Sequence, residues 1–263
     1  MGLARRIGNA VRLFGVDPQR SVRSFRGLGV YFRNRAALKR QMVTLSPSDF
    51  PFGKAYPCLS DRYEESGLAS GHYFHQDLRV AQLIFRHNPR RHIDVGSRVD
   101  GFVAHVAAFR QIEVFDIRQL HVSIPNIIFR QRDIMQERPD LDGCTDSLSC
   151  LHALEHFGLG RYGDPVDALG YRKGWDNLHR MLEPGGKFYF SVPIGPQRIE
   201  FDAHRVFSVP FLLRMMEGKY RIDSFAYVND AGDLIPSADV ESPEAHTSFG
   251  CHFGCGIFEL SRL

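Results

Sequence analysis

Hydrophobic positions change their spacing along this chain, and the change divides it. From about residue 72 onward, apolar residues spaced as on one helix face alternate with short runs rich in Val, Ile, Leu and Phe. The spacing predicts a helix near Tyr73–Phe85, a strand at His92–Gly96, a helix across Phe102–Phe109, a strand at Ile112–Ile117 and a short strand at Ile127–Phe129. Strands near 147–151 and 187–192 follow, separated by a helix at about 172–182. Strands alternating with helices predict an α/β fold, a doubly wound and mostly parallel sheet covered on both faces. Tyr220–Val228 and Gly256–Leu260, joined by a long polar loop, predict a late antiparallel hairpin on that sheet.

Upstream the pattern differs. Wound as a helix, residues 3–14 put Leu3, Ile7, Val11 and Phe14 on one face and Arg5 and Arg12 on the other. Residues 46–60 carry three prolines and read as irregular connector. The expected organisation is a basic amphipathic extension over 1–45, a connector over 46–71 and one larger domain over 72–263.

Charge sharpens this division. Residues 1–40 hold ten Lys or Arg and one acid, Asp17, so without them the formal charge moves from +3 to −6. A helix of this kind either docks on a core with its basic face solvated or lies on anionic lipid or a lipid-linked polyanion. Nucleic acid is not expected as a partner, because aromatics are sparse before Phe25 and the body is acidic. Five cysteines, at 58, 144, 150, 251 and 255, are an odd number scattered through strand-like segments, which points to a reducing compartment rather than a disulfide framework. With no apolar run of membrane-spanning length and no secretory signal pattern, a cytoplasmic protein is expected, peripheral at the inner membrane face if the basic arm docks there.

In a doubly wound sheet, ligands bind beyond the carboxyl ends of the strands. The first such end reads His92-Ile-Asp94-Val-Gly96-Ser97-Arg98-Val-Asp100-Gly101. Glycine lets the backbone turn sharply beneath a ligand, and the next helix offers free N–H groups. The dinucleotide fingerprint G-x-G-x-x-G is absent, which disfavours an NAD-type oxidoreductase or epimerase. Asp116 lies 20 residues past Gly96, where a carboxylate accepts hydrogen bonds from ribose hydroxyls.

Taken together, Asp94-x-Gly96, Asp116, Asp133 after the third strand, Asp146 opening the fourth, Leu154-Glu155-His156 after it and Leu182-x-Pro184-Gly185-Gly186 before the fifth resemble a class I S-adenosylmethionine-dependent methyltransferase over roughly residues 72–230. The segments around His72–Asp77 and Arg161–Asp164 are similar to a little-characterised branch associated with bacterial surface-polysaccharide gene clusters. The resemblance implies a seven-stranded Rossmann-like sheet and S-adenosylmethionine as cofactor, with Asp94, Gly96, Ser97, Asp116, Asp133 and Glu155 as binding residues. It also implies O-methylation of a small-molecule or lipid-linked glycan acceptor. Arg98 and Asp100 occupy later glycine positions of the family loop and Gly101 is displaced by one, so the backbone approaches a cofactor less closely. That departure leaves open a catalytically silent binding module in a glycan-assembly complex.

An alcohol acceptor needs its proton removed, commonly by histidine. His156, His204 and His152 are the candidates, with Glu155 orienting or contacting cofactor. Arg161, Arg172 and Lys173 are candidates to grip an acidic group on the acceptor. His152-x-x-Glu155-His156 also has the spacing of a zinc peptidase, but Gly158 and Gly160 stop any helix within a turn. Cys251-His252-x-x-Cys255 beside His246 lacks a second paired cluster, and no metal is expected at either place. If the basic arm docks on membranes, deleting residues 1–40 abolishes co-sedimentation with anionic liposomes; sedimentation equal to that of the full chain counts against docking.

Overall fold

Alternating side chains along each strand build two cores, one on either side of a single twisted sheet. In the computed structural model, which describes residues 17–44, 50–64, 66–67 and 69–263, the chain divides into two compact units, Met1–Leu68 and Ala69–Leu263. In the first unit, helix α1 (Pro18–Thr44) has seven Lys or Arg and no acid. Gly27 lets α1 pack against the Leu59 backbone, where a Cβ would lie 2.0 Å from the carbonyl oxygen. Residues 50–60 form no regular element, as the prolines predict, and the amphipathic helix expected over 3–14 lies outside the described residues.

The second unit opens with α2 (His72–His87), which ends on Asn88 in the left-handed conformation that closes helices. Strand β1 (His92–Val95) follows, then a wide turn at Val99–Val103 leading into the short α3 (Ala104–Ala107). That turn makes the helix predicted across Phe102–Phe109 shorter than its apolar spacing suggests. Next come β2 (Ile112–Asp116), β3 (Ile127–Gln131), β4 (Thr145–Leu151), α4 (Gly170–Met181) and β5 (Leu182–Ile194). A small hairpin, β6 (Arg198–Glu200) with β7 (His204–Val206), precedes α5 (Val209–Met216), β8 (Tyr220–Val228), β9 (Leu234–Ile235) and β10 (Gly254–Arg262).

The main sheet runs β3-β2-β1-β4-β5-β10-β8-β9, with β3 through β5 parallel and β10 antiparallel to both its neighbours. It has eight strands rather than the expected seven because the two-residue β9 pairs with the outer edge of β8. The predicted hairpin forms, and its second strand inserts between β5 and β8. One face carries Val95, Phe115, Leu148, Phe188, Phe190 and Phe258 against Trp175 and Leu178 of α4 and Leu212 of α5. The other carries Ile112, Val114, Tyr189 and Ile257 against Val80 and Ile84 of α2 and Phe102, Val103 and Val106. Asp146 lies at the opposite end of β4 from the ligand side, accepting hydrogen bonds from the Arg90 and Arg91 backbone N–H groups.

The chain winds outward from β1 to β3 and then returns to β4, so β1 and β4 flank the switch point where the crevice opens. Gly174 on α4 sets one wall of it, since a Cβ there would lie 2.3 Å from the Phe157 ring. Alanine has the better helix propensity by about 1 kcal/mol, but overlap with a packed ring costs about 1–3 kcal/mol. Gly174→Ala is therefore expected to lower stability in chemical denaturation; a gain in stability would show that Phe157 yields freely.

Candidate functional site

A cavity of about 720 Å³ opens at the carboxyl ends of β1, β2 and β4. Its floor begins with Gly96, at φ 79°, where a Cβ would lie 2.7 Å from Ala153 Cβ. A side chain at this position would be strained and would collide with the loop after β4. The turn is held from below by Asp94. This carboxylate is fully buried and accepts hydrogen bonds from the Ser97 backbone N–H at 3.1 Å, Ser97 Oγ at 2.8 Å and Ser149 Oγ at 2.6 Å. The network continues through Ser149 to His92 Nε2 at 3.2 Å and from His92 Nδ1 to Ser147 at 2.7 Å. Burial raises Asp94 to about 7 and lowers His92 to about 3, so a nearly neutral polar column ties β1 to β4 beneath the cavity.

Of the residues expected to bind a cofactor, Gly96, Ser97, Asp116 and Asp133 line the cavity. Asp94 and Glu155 lie behind its wall and act through the side chains they hold. Asp116 closes β2 and is met by Arg118, whose Nη2 and Nε approach at 2.6 and 3.0 Å and whose backbone N–H donates at 2.8 Å. The Arg118 guanidinium also covers the Tyr162 ring at 4.6 Å. Asp133 accepts from the Met135 N–H at 2.9 Å.

Two of the three candidate histidines reach the cavity. His156 donates Nδ1–H to the Ala203 carbonyl at 2.7 Å, which leaves the Nε2 lone pair free, 3.9 Å from Glu155 Oε1. Burial lowers its pKa, so the imidazole is neutral near pH 7. His152 also lines the cavity, with φ 49° and its Nδ1 2.8 Å from Glu155 Oε1. Burial opposes charge on both members of this pair, but Cys255 and Glu155 together raise the histidine, and His152 lowers the acid. His204 is on β7; its ring centroid is 6.4 Å from that of His156, its Nε2 is 3.2 Å from Glu200, and it does not line the cavity.

His152-x-x-Glu155-His156 is not a helical metal motif. Leu154–His156 is a single tight turn and His152 is left-handed, so the two histidines share no helix face; each instead approaches Glu155 Oε1, His152 Nδ1 at 2.8 Å and His156 Nε2 at 3.9 Å. Arg161 reaches the cavity and donates to the Ala203 carbonyl at 2.9 Å, whereas Arg172 pairs with Tyr171 and Lys173 with Asp167 on the surface. The loop bearing Arg161 and Tyr162 is folded around Asp164, which accepts N–H bonds from Gly158, Gly160 and Tyr162.

Tyr73, Gln76 and Asp77, in the segment noted for its resemblance but given no site role from sequence, form the α2 side of the cavity. Asp77 explains the displaced glycine: a Cβ on Gly101 would lie 3.0 Å from Asp77 Oδ2. Its signal was present in the polar positions Gln76 and Asp77 on the otherwise apolar inner face of α2, both buried.

Residues 116–248 match the sequence profile of a family described as Caenorhabditis protein of unknown function, DUF268. No curated protein matches the chain. Among solved structures, a Burkholderia thailandensis 1,6-didemethyltoxoflavin-N1-methyltransferase with bound 1,6-didemethyltoxoflavin and S-adenosylhomocysteine is similar at 14% identity, over 71% of this chain and 78% of that one, with TM-score 0.51. The N-methyltransferase NodS from Bradyrhizobium japonicum, in complex with S-adenosylhomocysteine, has 12% identity over 73% and 88% of the two chains, with TM-score 0.47. The first likeness shows a shared fold, the mostly parallel α/β sheet described above.

The Asp94 column gives a pH prediction. Its folded-state pKa of about 7 exceeds the ordinary carboxylate value, so its contribution is fully present below about pH 4 and is lost as pH rises through 7. Relative to Asp94→Asn, the native chain is expected to lose roughly 2 kcal/mol of stability between pH 5 and pH 8, at about 1.4 kcal/mol per pKa unit. Parallel stability curves for the two proteins across that range would show Asp94 ionised throughout.

Proposed function

The chain belongs to the DUF268 family, and we propose that this member is an S-adenosylmethionine-dependent methyltransferase that O-methylates a sugar or glycan intermediate. One observation carries the reading: the side-chain-free turn at Gly96 and the Asp116 carboxylate face a single cavity at the switch point of the sheet. These features fit the group. The Gly96 turn lets backbone approach the methionine and ribose portions, and Asp116 offers two acceptor oxygens to ribose hydroxyls. The fold shared with the Burkholderia enzyme supports the same reading.

When bound, S-adenosylmethionine supplies an electrophilic methyl group. The protein's task is then to align an acceptor, exclude water and take one proton. His156 suits the last role, because its Nδ1–H is committed to Ala203 and its free Nε2 can accept the hydroxyl proton. Glu155, 3.9 Å away, stabilises the resulting imidazolium. Tyr73 offers an aromatic ring for a sugar, and Arg161, beside the Tyr162 ring, a cation for an acidic substituent. The basic α1 and the residues before it suit peripheral contact with anionic lipid, where a lipid-linked acceptor would reside.

A second reading rests on the Arg118–Asp116 pair, which already occupies the carboxylate and suits a binding module that has given up the nucleotide. Calorimetry with S-adenosylmethionine and S-adenosylhomocysteine separates the two. The methyltransferase reading predicts saturable binding that weakens roughly 10- to 100-fold in Asp116→Asn, from a charge-assisted contact worth about 1.5–3 kcal/mol. Folded protein that gives no heat at millimolar ligand supports the module instead.

A further inference from the structure

We infer that His72, His152 and Cys255 form a site for one divalent transition-metal ion of the Zn²⁺ class at the inner wall of the cavity. Three distant parts of the sequence supply it: the first residue of α2, the residue after β4 and the second residue of β10. They bring one ligand atom each within 4.8 Å of one another, and no other group of three or more such side chains comes together among the described residues.

The orientation of His152 distinguishes this cluster from ordinary core packing. Its Nδ1 is engaged by Glu155 Oε1 at 2.8 Å, while its buried Nε2 has no nitrogen or oxygen partner and the Cys255 thiol is the ring's other side-chain hydrogen-bonding neighbour. A histidine that donates Nδ1–H to a carboxylate and keeps Nε2 beside a thiol has the orientation of a metal ligand whose second ring nitrogen is fixed from behind. The backbone holds this orientation at φ 49°, a conformation that is costly for a non-glycine residue. Cys255 is fully buried; its sulfur lies 3.8 Å from Gln76 Oε1 and 3.8 Å from the Gly256 carbonyl, and it interacts with the His152 ring. His72 stacks on His152 with ring centroids 5.2 Å apart and is fixed on its other side by Phe253 at 5.3 Å.

Two imidazoles and a thiolate suit Zn²⁺ and its neighbours, not Mg²⁺ or Ca²⁺, which take oxygen ligands. Three protein ligands leave a fourth tetrahedral position, and His152 also lines the cavity, so water or an acceptor oxygen can enter from there. Binding displaces to solvent the Cys255 thiol proton and any proton on His152 Nε2, and affinity therefore falls as pH falls. The inference does not depend on methyl transfer, because the ion alone is the probe.

The test uses the full chain, stripped by chelator, titrated with Zn²⁺ by calorimetry and with Co²⁺ by absorption. The expected result is one equivalent bound, with a thiolate-to-cobalt charge-transfer band that disappears in Cys255→Ser and persists in Cys251→Ser. Glu155→Gln, as a positioning change, should weaken Zn²⁺ by roughly 10- to 100-fold. His72→Gln, at a partly buried position on the first turn of α2, must also lose the ion, which keeps the test decisive if Cys255→Ser fails to fold. Absence of stoichiometric Zn²⁺ binding, or a cobalt band unchanged in His72→Gln or Cys255→Ser, overturns the proposal.

Discussion

The site depends on one buried carboxylate. Asp94 gathers three hydrogen bonds from Ser97 and Ser149, and through them it fixes the turn after β1 against the neighbouring β4. Gly96 can then pass within contact distance of Ala153, a closeness that any side chain would prevent. The cost is a carboxyl pushed to about 7 by burial. The benefit is a loop whose backbone faces the cavity at a set height, with the cavity walls supplied by β2, the loop after β4 and α2.

Around that loop, charges are matched inside the protein before any ligand arrives. Arg118 holds Asp116, Glu155 holds His152, and Asp164 folds the segment that carries Arg161 and Tyr162. A nucleotide approaching Asp116 meets a carboxylate already paired at 2.6 Å, so Arg118 must share or release it. Binding at this end is an exchange of hydrogen bonds, and the contact Arg118 already makes over the Tyr162 ring at 4.6 Å is one it can keep as it releases the carboxylate.

Much of this was legible in the sequence, for a physical reason. Strand and helix periods are local, so the alternation of Ile112, Val114 and Phe115 or of Phe188, Tyr189 and Phe190 between the two cores could be read from residue order. The spacing from Gly96 to Asp116 reports one helix and one strand of a parallel sheet, which is also local. What escaped was set by contacts across the fold. The insertion of β10 beside β5, the placement of His204 on a hairpin strand and the capping of Asp116 by Arg118 have no periodic signature. His152, Glu155 and His156 misled in a different way. Their i, i+4 spacing suggests a shared helix face, but the backbone at His152 is left-handed and Leu154–His156 is a single tight turn, so no helix carries them.

The most direct test of the account is a crystal structure with S-adenosylhomocysteine. The account predicts ribose hydroxyls on Asp116, Arg118 displaced from at least one of its carboxylate oxygens, backbone of the Gly96 turn against the ligand, and sulfur on the His156 side of the cavity. Crystals grown at saturating ligand that keep the Arg118–Asp116 pair intact and leave the space above Gly96 empty would contradict it.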